Sequence, residues 1–174
     1  MKIDVYTVGH STRSIEEFIK LLKTYKIETV VDVRKIAKSR HNPQFGEDKL
    51  SESLEKQSIL YKRMEGLGGL RHTTNASVNK AWENLSFRGY ADYMQTSEFA
   101  KSVEELIKIS GEKQTVIMCA EAVPWRCHRS LIGDALLVRN IQVEDIMNEK
   151  GSRPHKLTSF AKVAGKTITY PAVV

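Results

Sequence analysis

Residues 115–132, TVIMCAEAVPWRCHRSLI, put a thiol, a carboxylate, an imidazole and two guanidinium groups where an apolar run stops and a new helical pattern begins. Thr115 to Met118 is β-branched and apolar. Cys119, Ala120 and Glu121 follow, then a loop with Pro124 and Trp125, then Arg126, Cys127, His128 and Arg129. A strand-to-helix junction is where α/β proteins bind ligands. The first amides of a helix starting near Cys127 have no intrahelical acceptor and carry partial positive charge. With Arg126 and Arg129 beside them they form an oxyanion site, and arginine grips phosphate through two parallel hydrogen bonds. The plainer alternative pairs Arg129 with Asp134 or Glu121.

Each reactive group has a chemical reading and a bland one. Cys127, at a helix N-terminus among cations, should have a depressed thiol pKa and serve as nucleophile or redox group; otherwise it packs against a sheet. His128 is its neighbour in sequence, but adjacent helical side chains do not face each other, so His10 is the better base. Cys119 closes a buried strand and reads as packing, or as part of a binding wall. Glu121, just past a strand and beside Pro124 and Trp125, reads as partly desolvated. That would suit acid–base work or attack at an anomeric carbon; otherwise it clamps loop amides or Arg34. Five residues separate Cys119 from Trp125, so the cysteine-phosphatase spacing, which needs arginine there, is absent. The cysteines and histidines match no zinc spacing, and no metal or cofactor is expected. A disulfide between the two cysteines is disfavoured in a reducing compartment.

Upstream, Ile3 to Val8 reads as a buried strand, followed by Gly9, His10, Ser11 and Thr12. Ser14 and Glu17 fit a capping box, with Ile15, Phe18, Ile19 and Leu22 at helical spacing. Thr29 to Val33 reads as a buried parallel strand, closing the first βαβ unit. Leu50 and Leu54 mark a short helix and Ile59 to Lys62 a third strand. Residues 73–88 show no period, and 89–94 read as a helical turn. Ser97 caps a helix to about Ile109, with Gly111 at its C′ position. A strand at 114–118, a helix at 127–139 and a strand from Ile141 to Met147 follow. The tail reads as a short helix around Leu157 to Val163 and a last strand at Ile168 to Tyr170. The alternation predicts an α/β fold: a single three-layer, Rossmann-like domain over residues 1–174 with a mostly parallel sheet.

Several motifs resemble the DUF488 family. They are Thr7-Val8-Gly9-His10-Ser11, Val31-Asp32-Val33-Arg34, Leu67-Gly68-Gly69, Gly89-Tyr90-Ala91-Asp92-Tyr93-Met94, Met118-Cys119-Ala120-Glu121 with Cys127-His128-Arg129, and His155-x-Leu157-Thr158 with Tyr170-Pro171. The resemblance implies an α/β fold with a Rossmann-like sheet and assigns no reaction.

Composition limits the rest. The 174 residues carry 27 Lys and Arg against 21 Asp and Glu, for a net charge of +6, which favours an anionic partner. No apolar stretch approaches the ~20 residues of a membrane span. The opening MKIDVYTVGHS lacks the apolar core of a secretion signal, so a cytoplasmic protein is expected. If parallel-strand ends converge, His10, Ser11, Asp32, Arg34, Cys119, Glu121, Cys127, His128 and Arg129 meet at one edge. Lys35, Lys38, Arg40 and Arg71 would add a basic patch able to track a phosphate backbone, with Tyr61, Tyr90, Tyr93 and Trp125 available to stack on bases. Three readings follow. The first is a hydrolase or group transferase on a nucleotide, nucleic acid or other phosphate-bearing substrate, with Glu121, Cys127 and His10 catalytic. The second is a non-enzymatic nucleic-acid-binding module. The third is a thiol redox or sensing protein.

Overall fold

Three short runs with almost no charged positions become the central strands of the molecule. The computed structural model describes residues 3–172. Strands β1 (Val5–Gly9), β2 (Thr29–Asp32), β3 (Leu60–Arg63), β4 (Thr115–Cys119), β5 (Val143–Asn148) and β6 (Gly151–Pro154) form one sheet in the order β3-β2-β4-β1-β5-β6. Every pairing is parallel except β5 with β6. Each residue of β2 and β4 is buried, as strands covered on both faces require.

Helices cover both faces. Helix α1 (Ile15–Thr24) and α2 (Glu47–Glu55) pack Phe18, Leu21, Leu22, Leu50 and Leu54 against Val8, Val30, Val116 and Met118. Helices α3 (Leu85–Tyr93), α4 (Ser97–Glu112) and α5 (Arg129–Leu137) pack Tyr90, Phe99, Leu106, Leu131 and Leu136 against Val5, Val31, Ile117 and Val143. The strands alternate faces residue by residue, so Val116 joins one core and Ile117 the other. This is the three-layer α/β arrangement expected. It differs from the usual dinucleotide-binding order, 3-2-1-4-5-6, in that β1 and β4 have exchanged places.

That exchange positions the site. The chain leaving β4 enters the α5 layer, whereas the chains leaving its two neighbours, β1 and β2, enter the opposite layer. Connections that part to opposite faces open a crevice at the carboxyl ends of the strands. The three ends are also laced together: His10 N donates to Cys119 O, Ser11 N to Ala120 O and Val33 N to Met118 O. Gly9 is required there, because a Cβ on it would lie 1.6 Å from the Glu121 carbonyl oxygen.

Several boundaries move. The capping box of α1 forms as read, Glu17 N donating to Ser14 Oγ and Ser14 N to Glu17 Oε1. Thr96 rather than Ser97 caps α4, and the helix runs through Gly111 to Glu112. Helix α3 begins at Leu85, capped by Asn84. Helix α5 begins at Arg129, not 127: Pro124–Arg126 forms a single 3-10 turn and Cys127 stays extended. No helix forms among the described residues of the tail. Strands β7 (Lys162–Ala164) and β8 (Thr167–Thr169) make a hairpin turned at Gly165, whose φ is +63°. Among the described residues, no helix is long and apolar enough to cross a membrane.

Candidate active site

The crevice is a cleft of about 340 Å³. His10, Arg34, Lys35, Lys38, Cys119, Glu121, Arg126, Cys127 and His128 line it, together with an apolar wall of Ile36, Leu70, Phe87 and Tyr90. The loops after β1, β2 and β4 therefore do meet. Ser11, Asp32, Arg40, Arg71 and Arg129 do not line the cleft.

His10 follows β1 and stacks on Phe45 with ring centres 4.2 Å apart. Its Nδ1 is 2.8 Å from the Ser11 carbonyl, which can only accept, so Nδ1 carries the hydrogen. Ser11 adopts φ +53° to make that turn. Nε2 is left bare and faces Arg34 Nη1 at 3.4 Å. Burial, with Arg34 and Arg13 adding to it, lowers the His10 pKa to about 4. The ring is neutral at neutral pH and presents a lone pair.

Asp32 ends β2 with no exposed surface and holds Arg34 from both sides: Nε donates to Oδ1 at 2.9 Å and Nη2 to Oδ2 at 2.7 Å. Tyr61 Oη also donates to Asp32 Oδ2. Asp32 thus positions Arg34 from behind and does not itself line the cleft. It is Asp32, not Glu121, that takes Arg34.

The β4–α5 junction holds the thiols. Cys119 and Cys127 are both buried and free, their sulfurs 2.8 Å apart with Cys127 donating. Because Cys127 precedes the helix, the rule separating adjacent helical side chains does not apply, and His128 Nδ1 lies 3.5 Å from Cys127 Sγ. His128 Nε2 donates to the Val33 carbonyl at 2.8 Å, which leaves Nδ1 bare. Burial, with Arg129 and Arg71 adding to it, lowers the His128 pKa to about 4. The Cys127 thiol is pushed well above its ordinary value by its bond to Cys119 and by burial, the reverse of the depression expected at a helix N-terminus. Burial pushes Cys119 up as well, but Cys127 and Arg129 outweigh it and leave that thiol below its usual range.

Arg129 is fully buried, and its Nε, Nη1 and Nη2 have no hydrogen-bond partner among the described residues. The pairings expected for it do not form. Asp134 is taken by His155, Tyr170 and the Thr158 amide. Glu121 is exposed at the rim of the cleft, so the loop does not desolvate it as expected.

The basic patch divides. Lys35 and Lys38 are exposed on the cleft wall, and Arg40 is exposed outside it. Arg71 is committed elsewhere: it donates to the Gly68 and Glu65 carbonyls and lies 3.7 Å over the Tyr93 ring. Tyr90 Oη donates to Leu67 O and Tyr93 Oη to Gly66 O, so both are held as structure. Trp125 is exposed on a neighbouring groove with Trp82. Two contributors escaped the sequence. Phe87 lies in the stretch without period, and Arg13, which donates to the Gly9 and Met147 carbonyls, looks like an ordinary residue before a helix. Among the described residues, no three His, Cys, Asp or Glu side chains are grouped to hold a metal ion.

Comparison with known proteins gives one match. The family model described as a domain of unknown function, DUF488, covers residues 14–136. That span includes Asp32, Arg34, Cys119, Glu121 and the Cys127-His128-Arg129 run, and excludes His10 and the strands from β5 onward. No curated protein and no solved structure matches the chain.

Proposed function

The chain belongs to the DUF488 family, and on the chemistry of the cleft we propose that it is a hydrolase or group transferase acting on a phosphate-bearing substrate, a nucleotide or nucleic-acid end. One observation carries the reading: four cations, two neutral imidazoles and two thiols surround a single cleft with an apolar wall. Its volume of about 340 Å³ lies at the small-ligand end of binding pockets. Lys35, Lys38 and Arg126 hold the phosphate, and Ile36, Leu70 and Phe87 contact the base. The thiol pair supplies the nucleophile.

A cysteine sulfur, its S–H proton first given up to solvent, bonds to the electrophilic centre as the bond to the leaving group breaks. The leaving group departs with the electron pair and takes a proton from solvent. Water, or an acceptor hydroxyl, then gives its proton to His10 Nε2 and displaces the sulfur, which leaves as thiolate; His10 returns the proton to solvent. Glu121, exposed at the mouth, serves as a second acid–base group.

The test is nucleotide binding by calorimetry, followed by product analysis. Micromolar to millimolar binding is expected, weakened in Lys38→Glu and Arg126→Glu, with turnover lost in His10→Gln. Absence of binding to any mononucleotide or oligonucleotide end sinks the reading. The exposed run Lys35, Lys38 and Arg40, without an ion pair among the described residues, favours a second reading, a nucleic-acid-binding module without turnover. A module of that kind loses affinity steeply with salt and is indifferent to His10→Gln.

A further inference from the structure

The chain has two cysteines, and the fold brings their sulfurs together from opposite ends of one loop. Cys119 closes β4 and Cys127 stands just ahead of α5. Both thiols are free, and their sulfurs are 2.8 Å apart. A disulfide bond is ~2.0 Å long, so closing the contact into a bond takes about 0.8 Å of movement. Each sulfur's other polar neighbours are farther off. For Cys127 these are His128 Nδ1 at 3.5 Å and the Arg129 amide at 3.4 Å, and for Cys119 the Glu121 carbonyl at 3.7 Å. The joining loop is able to give. The His10 and Ser11 amides hold the Cys119 and Ala120 carbonyls at its start, but Glu121, Ala122, Trp125 and Arg126 are exposed and α5 begins only at Arg129. The pair is not part of a metal site, since no three His, Cys, Asp or Glu side chains group to hold an ion among the described residues.

Both cysteines line the cleft, yet Cys119 is 2% and Cys127 6% exposed. A space of about 340 Å³ ending on nearly buried sulfur admits a small molecule and keeps a protein surface out. We propose that Cys119 and Cys127 form an oxidative modification site, at which a small hydroperoxide entering the cleft converts the thiol pair into an intramolecular disulfide that a small thiol reverses. The modification stands without the enzymatic reading above; its effect on turnover rests on that reading. One sulfur, its proton given up to solvent, attacks the outer oxygen of the hydroperoxide. The O–O bond breaks as an S–O bond forms, and the departing alkoxide takes a proton from solvent. The second sulfur then attacks the first. An S–S bond forms, the S–O bond breaks with its electron pair, and the hydroxide takes the second thiol's proton and leaves as water. Two electrons have passed from the sulfurs to the peroxide. The 2.8 Å contact makes the second step the fast one: the partner already touches the oxidised sulfur and captures it before another oxidant arrives. On the enzymatic reading, the disulfide ties up both candidate nucleophiles and stops turnover.

The experiment treats the folded full chain with hydrogen peroxide and reads free thiols, intact mass and a non-reducing gel, in wild type, Cys119→Ser and Cys127→Ser. Circular dichroism checks the fold of each. Wild type should lose both thiols and two hydrogens with no covalent dimer, and dithiothreitol should restore them. Trypsin cuts after Arg126, which puts the two cysteines on separate peptides, and oxidation should join those peptides. Neither serine variant can form the bond, so the sulfur that remains should carry a sulfenic acid that dimedone captures. Nucleotide turnover should fall to nothing as the disulfide completes and return with dithiothreitol. Should a serine variant fail to fold, the wild-type peptide map decides. Two thiols that persist in the folded chain under peroxide that oxidises the urea-unfolded chain, a covalent dimer, or oxygen retained on sulfur in wild type overturns the proposal. Turnover without a disulfide would remove the modification and leave the functional reading. A disulfide that leaves turnover intact, or one in a chain that binds no nucleotide, would keep the modification and count against that reading.

Discussion

Alkaline pH should loosen the fold through His155, by an amount that can be worked out. The ring lies between two carboxylates, Nε2 3.0 Å from Asp134 Oδ1 and Nδ1 3.3 Å from Asp145 Oδ2, with the side chain 6% exposed. Burial alone would lower its pKa, but the hydrogen bonds and charges of Asp134 and Asp145 raise it from 6.5 to about 9. The folded pKa exceeds the unfolded one. The imidazolium therefore contributes its full stability below about pH 6.5 and loses it as the pH rises through about 9. The gap is about 2.5 in pKa, which at ~1.36 kcal/mol per pH unit is roughly 3 kcal/mol. Set against a total of about 5–15 kcal/mol, that loss is large. The assay is urea unfolding at about pH 6, 8 and 10, comparing wild type with His155→Gln, so that cysteine, tyrosine and lysine titrations cancel between the two. With a slope near ~2 kcal/mol/M, the midpoint gap between the proteins should narrow by roughly 1.5 M from the lowest to the highest pH. A gap that stays constant would mean the ring carries no extra proton between the two carboxylates, and the reasoning would fail.

On the acid side His10 and His128 act in the opposite sense. Each is held to about 4, so each contributes stability above about pH 6.5 that is lost as the pH falls toward 4, roughly 3 kcal/mol apiece; urea midpoints should fall there and flatten in His10→Gln and His128→Gln. Gly9→Ala places a methyl 1.6 Å from the Glu121 carbonyl, so the β4–α5 loop must shift, costing about 2 kcal/mol or more by urea unfolding; a normal midpoint would show the loop to be free to move. Asp32→Asn leaves Arg34 buried with one acceptor oxygen and should cost about 3–5 kcal/mol by urea unfolding, whereas Tyr61→Phe, which deletes one donor, should cost about 1 kcal/mol.

The parts of the fold that periodicity controls were legible in the chain. Strands β1, β2 and β4 are apolar at nearly every position because both faces are covered, and α1 announces itself through its capping box. The convergence of three strand ends followed from parallel pairing alone. What escaped is held by side chains bonding to specific partners, which leave no period. Residues 73–79 are pinned by Asp92, which accepts from Thr73, Ser77 and Asn79, and no spacing signals that. The tail looks helical from Leu157 to Val163, yet the Thr158 amide donates to Asp134 and the chain leaves as a hairpin. The start of α5 was misplaced by two residues because His128 offers no side-chain cap and the 3-10 turn before it absorbs Trp125 and Arg126.

The two residues at that start change what the site can do. A thiol inside the first turn would feel the helix amides and sit away from the imidazole beside it. Two residues before the helix, Cys127 instead meets His128 and Cys119, and the helix contributes one amide, at 3.4 Å. The sequence treats Arg34 and Arg129 alike, as cations beside strand ends. Their surroundings part them. Arg34 spends Nε and Nη2 on a carboxylate with no exposed surface and points its remaining nitrogen at His10, so it orders the cleft more than it charges it. Arg129 has given nothing away.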